Sequence, residues 1–150
     1  MFFLIRRAST LLLIALLPTL VTAERRIALV IGNDAYDQVP RLDKAVADAM
    51  AIAATLASQG FETITSTDSS RRQMNRSISE FTRQLQAGDT AVLFFAGHRH
   101  EIDGENYLLP TDIVAPTSGE RDFIKSESIA LSTLLDRVRA TGARTTIAII

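Results

Sequence analysis

The sequence contains no cysteine and only two histidines among its 150 residues. Without cysteine the chain forms no disulfide bond, so its stability rests on the packing of an apolar core. The same absence removes the thiol group that cysteine-based nucleophilic catalysis requires. Any such chemistry would need a residue that this sequence does not contain.

Several motifs of nucleotide and nucleic-acid binding are missing as well. Gly32 lacks the spaced glycines of a dinucleotide site, and no Gly-Lys-Ser/Thr loop follows it. No basic stripe interleaved with aromatic residues is present, which argues against nucleic acid as a partner. A phosphate-accepting receiver domain would need an aspartate after its third strand, where Gly97 and His98 stand instead.

Residues 1–23 have the three-part pattern of a secretory signal peptide. Arg6 and Arg7 form a basic start, an apolar run follows over 11–20, and small residues end at Ala23. The apolar run is shorter than the roughly 20 residues that span a bilayer, which favours cleavage over an uncleaved membrane anchor. Because the segment holds two arginines and no acidic residue, its removal changes the net charge from −1 to −3. We predict an exported protein, periplasmic or secreted, with no membrane contact after cleavage.

The remaining residues alternate between buried strands and amphipathic helices. Apolar runs, and one shorter alternating segment, predict strands over 26–31, 61–65, 90–96 and 145–150. Apolar residues at helical spacing predict helices over 43–58, 70–86 and 130–139. This order predicts an α/β fold, in which a mostly parallel sheet of four main strands lies between layers of helices.

Two segments between these elements have their own signals. Asp103 and Gly104 lie between short extended stretches and predict a hairpin turn. Residues 114–127 have the composition of a loop. Since the first, third and fourth parallel strands are the most apolar, we expect them to be central in the sheet.

His98 follows the third parallel strand, at the edge of the sheet where functional sites form in this fold class. Histidine exchanges protons near neutral pH, so it suits general acid/base chemistry there. A purely structural histidine is the plain alternative. A metal site built from His98, His100, Glu101 and Asp103 is a third reading, although two histidines and loop carboxylates match zinc poorly.

Five blocks of sequence, in order and at matching spacing, carry a family resemblance. They are RIALVIGNDAY (26–36), Asp48-Ala49, Gly60-Phe61, FFAGH (94–98) and IDGENYLLPTD (102–112). Together they resemble bacterial caspase-family proteins, and more closely the metacaspase-like branch. The resemblance implies a caspase-like three-layer sandwich. It also implies that residues 24–150 are the large-subunit domain, incomplete at its C-terminal end.

The resemblance implies roles for three residues. His98 would be the general acid/base, and the backbone N–H of Arg99 would stabilise the oxyanion. Arg99 stands where the family usually has glycine, so its side chain would be costly if the backbone there needs a positive φ. Asp48 matches a helix acid that lines the pocket for a basic residue. No metal or other cofactor is implied.

The implied activity is cysteine-type endopeptidase cleavage of peptide or protein substrates by a Cys–His dyad, with Arg or Lys preferred before the scissile bond. In the family the cysteine lies directly after the fourth parallel strand, where this sequence ends at Ile150. We therefore expect the chain alone to be inactive and to lack the C-terminal part of its domain. A pseudo-protease that acts as a binding or scaffold module is the alternative, and an unrelated flavodoxin-like binding domain is a second.

The signal-peptide prediction has a direct test. Expressed in an exporting host, the mature protein should begin at Glu24, because the small residues up to Ala23 fit signal peptidase. N-terminal sequencing of the exported protein checks this. Recovery of Met1 in the membrane fraction would instead favour the uncleaved anchor.

Overall fold

The computed structural model of the protein describes residues 24–115 and 121–150, so the predicted signal peptide lies outside the described residues. Seven strands occur within these ranges: β1 (Arg26–Gly32), β2 (Glu62–Thr67), β3 (Thr90–Ala96), β4 (Arg99–Ile102), β5 (Glu105–Leu108), β6 (Ile129–Ala130) and β7 (Thr145–Ile149). The helices of the same ranges are α1 (Ala45–Ser58), α2 (Arg71–Gln84), α3 (Arg121–Glu127) and α4 (Leu131–Arg139). None of these helices is both long and apolar enough to cross a membrane.

The main sheet has four parallel strands in the order β2-β1-β3-β7. The predicted α/β fold with a mostly parallel sheet is therefore confirmed. β1 and β3 are central, as their apolar sequences indicated, and residues 27–31 of β1 are fully buried. Because the two strands are neighbours, their carboxyl ends meet at one edge of the sheet.

The two faces of the sheet are covered by helices of different character. α1 packs one face through the small residues Ala45, Ala49 and Ala53, which let the helix approach the strands closely. α2 and α4 cover the other face with larger side chains, among them Met74, Phe81 and Leu134. The result is a three-layer sandwich with a thin and a thick apolar layer.

The predicted hairpin is confirmed at the predicted turn. β4 and β5 are antiparallel, and Asp103 and Gly104 connect them with φ values of 54° and 79°. Two consecutive residues with positive φ form the turn that matches the twist of paired strands, and Asp-Gly is a favoured pair there. β6 joins β5 as the third strand of this small sheet.

Two predictions differ from the structure. Part of the segment expected to be a loop forms helix α3, which buries a single large apolar side chain, Ile124. With one buried apolar residue among its seven, α3 has too little apolar periodicity in its sequence to predict a helix. β7, expected to be central, lies at the edge of the described sheet, and its Ile147 and Ile149 are 46% and 48% exposed.

The start of α1 depends on an acid eleven residues upstream of it. Lys44 occupies the N-cap position and makes no side-chain capping bond. Instead, Asp34 Oδ1 accepts a hydrogen bond from Ala45 N at 2.8 Å, and its Oδ2 accepts one from Val46 N at 3.0 Å. The Asp34 carboxylate thus satisfies two free N–H groups at the helix N-terminus and complements the helix dipole.

Asp34→Ala should lower the free energy of unfolding by about 1–2 kcal/mol, because it removes this capping carboxylate. Urea denaturation measures the loss. The control is Asp43→Ala, since Asp43 is exposed and its carboxylate makes no hydrogen bond within the described ranges. Equal losses in both variants would contradict the capping role of Asp34.

Candidate active site

The candidate site lies where the carboxyl ends of β1 and β3 meet. The backbone N–H of Asn33, just after β1, donates to Ala96 O at the end of β3 at 2.9 Å. Gly97 and His98 follow immediately. The structure therefore brings the loop after β1 beside the histidine that the sequence singled out.

The His98 ring is held by a backbone carbonyl group. Its Nε2 lies 2.7 Å from Pro40 O, and the side chain is half-buried. Because a carbonyl oxygen only accepts hydrogen bonds, Nε2 carries a proton in the neutral imidazole. Nδ1 then bears the free lone pair of the ring, and no residue of 24–115 or 121–150 hydrogen-bonds to it. This arrangement selects one tautomer and leaves the basic nitrogen open.

Tyr36 fixes the backbone on which His98 stands. Its hydroxyl accepts a hydrogen bond from His98 N at 2.8 Å and donates one to Leu109 O at 3.2 Å. The two rings are also in contact, with centroids 4.7 Å apart and planes tilted by 52°. Tyr36 is 2% exposed, and burial raises its pKa to about 12. The phenol is therefore neutral and available as both acceptor and donor.

Gly97 allows the close approach of Tyr36 to this backbone. A Cβ atom at position 97 would lie 2.7 Å from Tyr36 Oη and 2.8 Å from Phe95 Cζ, both far inside normal contact distance. Any side chain here would displace the tyrosine or the strand end. Gly97 is thus required by the space between two packed aromatic rings.

Arg99 begins β4 and has an exposed side chain. Its φ is negative, so its Cβ causes no left-handed backbone strain. Leu109 N donates to His98 O at 3.0 Å, which makes Arg99 and Leu108 a non-hydrogen-bonded pair of the antiparallel ladder. The Arg99 N–H consequently points away from β5. It is free of the ladder and beside His98.

Asp48 lies in the first turn of α1 and is exposed. It borders an open hollow together with Gly97, and Asp43 and Lys44 line the same hollow. His98, the next residue after Gly97, lines another hollow together with Pro40. The structure therefore brings all three sequence-predicted residues to one end of the sheet, in two adjoining hollows.

Two of the four side chains of the metal-site alternative, those of His98 and Asp103, have other partners. Asp103 accepts hydrogen bonds from Lys125 Nζ at 3.0 Å and Arg121 Nη1 at 3.4 Å, and these cations lower its pKa. His98 Nε2 faces a carbonyl oxygen. In the described part of the chain, no group of three or more His, Cys, Asp or Glu side chains is arranged to hold a metal ion.

Sequence reasoning gave no role to Pro40 or Tyr36. The Pro40 contribution is a backbone carbonyl, which every residue type has, so no side-chain signal could identify it. Tyr36 was part of the RIALVIGNDAY block. Its signal was that an aromatic ring bearing a hydroxyl group follows a buried strand at a site edge, where such a ring fills space and still makes hydrogen bonds.

A protein-family model described as the caspase domain matches residues 25–143, which is most of the chain. The chain belongs to the caspase-domain family. This membership confirms the resemblance and decides against an unrelated flavodoxin-like domain. The metacaspase-like branch and a bacterial origin stay predictions.

Two curated relatives align with part of this caspase domain. The human mucosa-associated lymphoid tissue lymphoma translocation protein 1 is 29% identical over 98 residues, which is 65% of this chain. Its mouse homolog shows the same 29% identity over 98 residues. The chain spans only 12% of the length of each relative.

A solved structure has the same fold. The crystal structure of a Geobacter sulfurreducens protein superposes with a TM-score of 0.62 at 22% sequence identity. The match covers 83% of this chain and 49% of the other. It confirms the caspase-like α/β architecture of the described sheet.

The Tyr36 contacts predict that the stability difference between the wild type and Tyr36→Phe depends on pH. Tyr36→Phe should lower the free energy of unfolding by about 1–2 kcal/mol near pH 8, since it removes both hydrogen bonds of the hydroxyl. The pKa of Tyr36 is higher in the folded protein, about 12, than in the unfolded chain. The stability that the neutral Tyr36 phenol gives the folded protein is therefore complete below about pH 10, and it is lost as the pH rises through 12.

Urea denaturation at pH 8 and pH 11 measures both effects. The stability gap between the wild type and Tyr36→Phe should narrow at the higher pH. Tyr107→Phe is the matched control, because Tyr107 is half-buried and its hydroxyl makes no hydrogen bond within the described ranges. A gap that stays constant from pH 8 to pH 11 would show that folding does not raise the pKa of Tyr36, and a gap of zero at pH 8 would show that its hydroxyl does not stabilise the fold.

Proposed function

We propose that this caspase domain is the histidine-bearing part of a cysteine endopeptidase that cleaves peptide or protein substrates. The observation that supports this most is the setting of His98. Its Nε2 is anchored to Pro40 O, its Nδ1 is open, and the free Arg99 N–H lies next along the chain. The 150 residues contain no cysteine, so the proposed nucleophile is the thiol of a cysteine outside them.

In the proposed reaction His98 carries the proton between sulfur and nitrogen. Nδ1 accepts the thiol proton, and the thiolate attacks the carbonyl carbon of the scissile bond. The doubly protonated ring then donates a proton to the leaving amine nitrogen as the C–N bond breaks. The acyl group is then held on sulfur as a thioester. Water, deprotonated by the same nitrogen, attacks this thioester, which releases the carboxylic acid and returns the thiol. The Arg99 N–H is the proposed donor to the oxyanion, for which a rigid backbone group is well suited.

Asp48 is the proposed determinant of substrate preference. An exposed carboxylate in the hollow beside Gly97 favours a cationic side chain, so Arg or Lys would precede the scissile bond. Asp43 adds negative charge to this hollow, and Lys44 offsets part of it. Solvent screening at an exposed site limits the gain to about 1 kcal/mol, or roughly fivefold in KM.

A non-catalytic binding module is the second candidate function. The absence of cysteine from the sequence favours it, as do the exposed side chains of Arg99 and His100 at the mouth of the His98 hollow. The same hollow would then hold a peptide without cleaving it. The two candidates differ in one observable, which is thiol-dependent turnover.

The first experiment compares the 150-residue chain with the product of the complete open reading frame of its gene. On fluorogenic peptides ending in Arg or Lys, we expect turnover by the complete product and none by the 150-residue chain, which lacks a thiol. Turnover by that chain that is abolished in His98→Ala would reveal a different nucleophile, such as a serine. A complete product that binds these peptides without turnover would favour the binding module.

The second experiment assigns the residues within an active product. His98→Ala should reduce kcat/KM by about 10²- to 10⁴-fold, whereas His100→Gln should leave it nearly unchanged. Asp48→Asn should raise KM about fivefold for Arg and Lys substrates with little change in kcat. The proposal fails if His100→Gln abolishes activity while His98→Ala retains it.

A further inference from the structure

A third pocket, lined by cations, lies on the face of the sheet that α2 and α4 cover, among α2, α3, β6 and α4. Arg71, Lys125 and Arg137 contribute positive charge, and Ser128, Asn75 and Thr133 contribute polar groups. Among residues 24–115 and 121–150, no carboxylate lines it. His98 and Asp48 border other hollows, so this pocket is separate from the candidate active site.

Two polar atoms at this pocket are buried without a partner. Ser128 is 5% exposed, and its Oγ makes no hydrogen bond to any described residue. Arg71 Nε is buried and equally unpartnered within the described ranges. These are the only buried side-chain atoms of the described residues in that condition, and both belong to residues that line this pocket. Buried polar groups are rarely left unpaired, so these two atoms at one pocket are polar groups available to a bound ligand.

Two of the three cations around the pocket have no acidic partner among the described residues. Within the described chain neither Arg71 nor Arg137 forms an ion pair, and Arg137 Nη2 donates only to the neutral Ser79 Oγ at 3.2 Å. Lys125 shares Asp103 with Arg121. Asp112 accepts from the backbone N–H of Arg71 at 2.8 Å, outside the pocket lining. The pocket thus offers two guanidinium groups and one partly compensated ammonium group to an anion.

We propose that this pocket binds a phosphate-class oxyanion, either free phosphate or a phosphomonoester. Guanidinium groups match the geometry of phosphate oxygens with paired N–H donors, and a serine hydroxyl adds a donor from another direction. A tetrahedral dianion has enough acceptor oxygens to satisfy Arg71 Nε and Ser128 Oγ together. A single carboxylate presents only two oxygens in one plane.

The proposal does not depend on the peptidase function. Helix α3 nevertheless borders both places, since Ile124 lines the His98 hollow and Lys125 lines the cation pocket. Binding is therefore measured directly and not through turnover. Failure of one proposal leaves the other intact.

The test is a titration of the full chain with inorganic phosphate and, separately, with O-phosphoserine, at an ionic strength held constant with chloride. We expect saturable binding by calorimetry and a shift of the Arg71 Nε–H resonance in NMR spectra. Arg71→Gln and Arg137→Gln should each weaken binding about tenfold, through loss of a charge-assisted hydrogen bond. Tighter binding of O-phosphoserine would identify the phosphomonoester as the better ligand, and tighter binding of phosphate the free ion.

Arg72→Gln is the matched control, because Arg72 is the exposed neighbour of Arg71 and does not line the pocket. Ser128→Ala separates binding from folding. It should raise the melting temperature of the ligand-free protein, since it removes an unsatisfied hydroxyl, and should weaken phosphate binding. Equal loss of binding in Arg72→Gln, or no saturable binding above the chloride background, would overturn the proposal.

Discussion

The buried amide of Asn33 is the contact on which the arrangement of the site depends. Its Oδ1 accepts from Ser69 N at 2.9 Å, and its Nδ2 donates to Leu109 O at 3.2 Å. Its backbone N–H meanwhile extends the pairing of β1 with β3. One fully buried residue therefore joins the strand ends to the loop before α2 and to the loop after β5. Because Leu109 O also receives the Tyr36 hydroxyl, the anchor of His98 is part of the same network.

Two carboxylates complete this network, and their hydrogen-bond donors are backbone N–H groups and not cationic side chains. Asp68 Oδ1 accepts from the N–H groups of Asp34 and Ala35, both at 2.8 Å, while Asp34 caps α1. Asp68 itself has a φ of 47°, a strained conformation that its contacts maintain. Such bonds fix the loop after β1 without adding positive charge near the Asp48 hollow. The electrostatics of that hollow are then set by its own lining residues.

The sequence predicted the parts of this fold whose signals are local. The apolar run of β3, the helical spacing in α2 and the Asp103-Gly104 turn each depend on neighbouring residues, and all three are confirmed. The edge position of β7 and the helix α3 depend on what packs against them, which no short segment encodes. The same limit applies to the site. His98 could be identified from its place after a buried strand, but the Pro40 carbonyl that orients it comes from 58 residues away.

The backbone conformation of Arg99 removes one argument for the non-catalytic binding module over the peptidase. A side chain in a position where the family usually has glycine pointed to a degenerate site, on the condition that the backbone there needs a positive φ. That condition is not met, because Arg99 has a negative φ and an N–H directed away from the ladder. Arg99 therefore has an N–H free of the ladder, which is the group that the proposed oxyanion stabilisation needs, and its side chain causes no backbone strain. The case for a non-catalytic module then rests on the missing nucleophile, because the backbone at Arg99 does not point to a degenerate site.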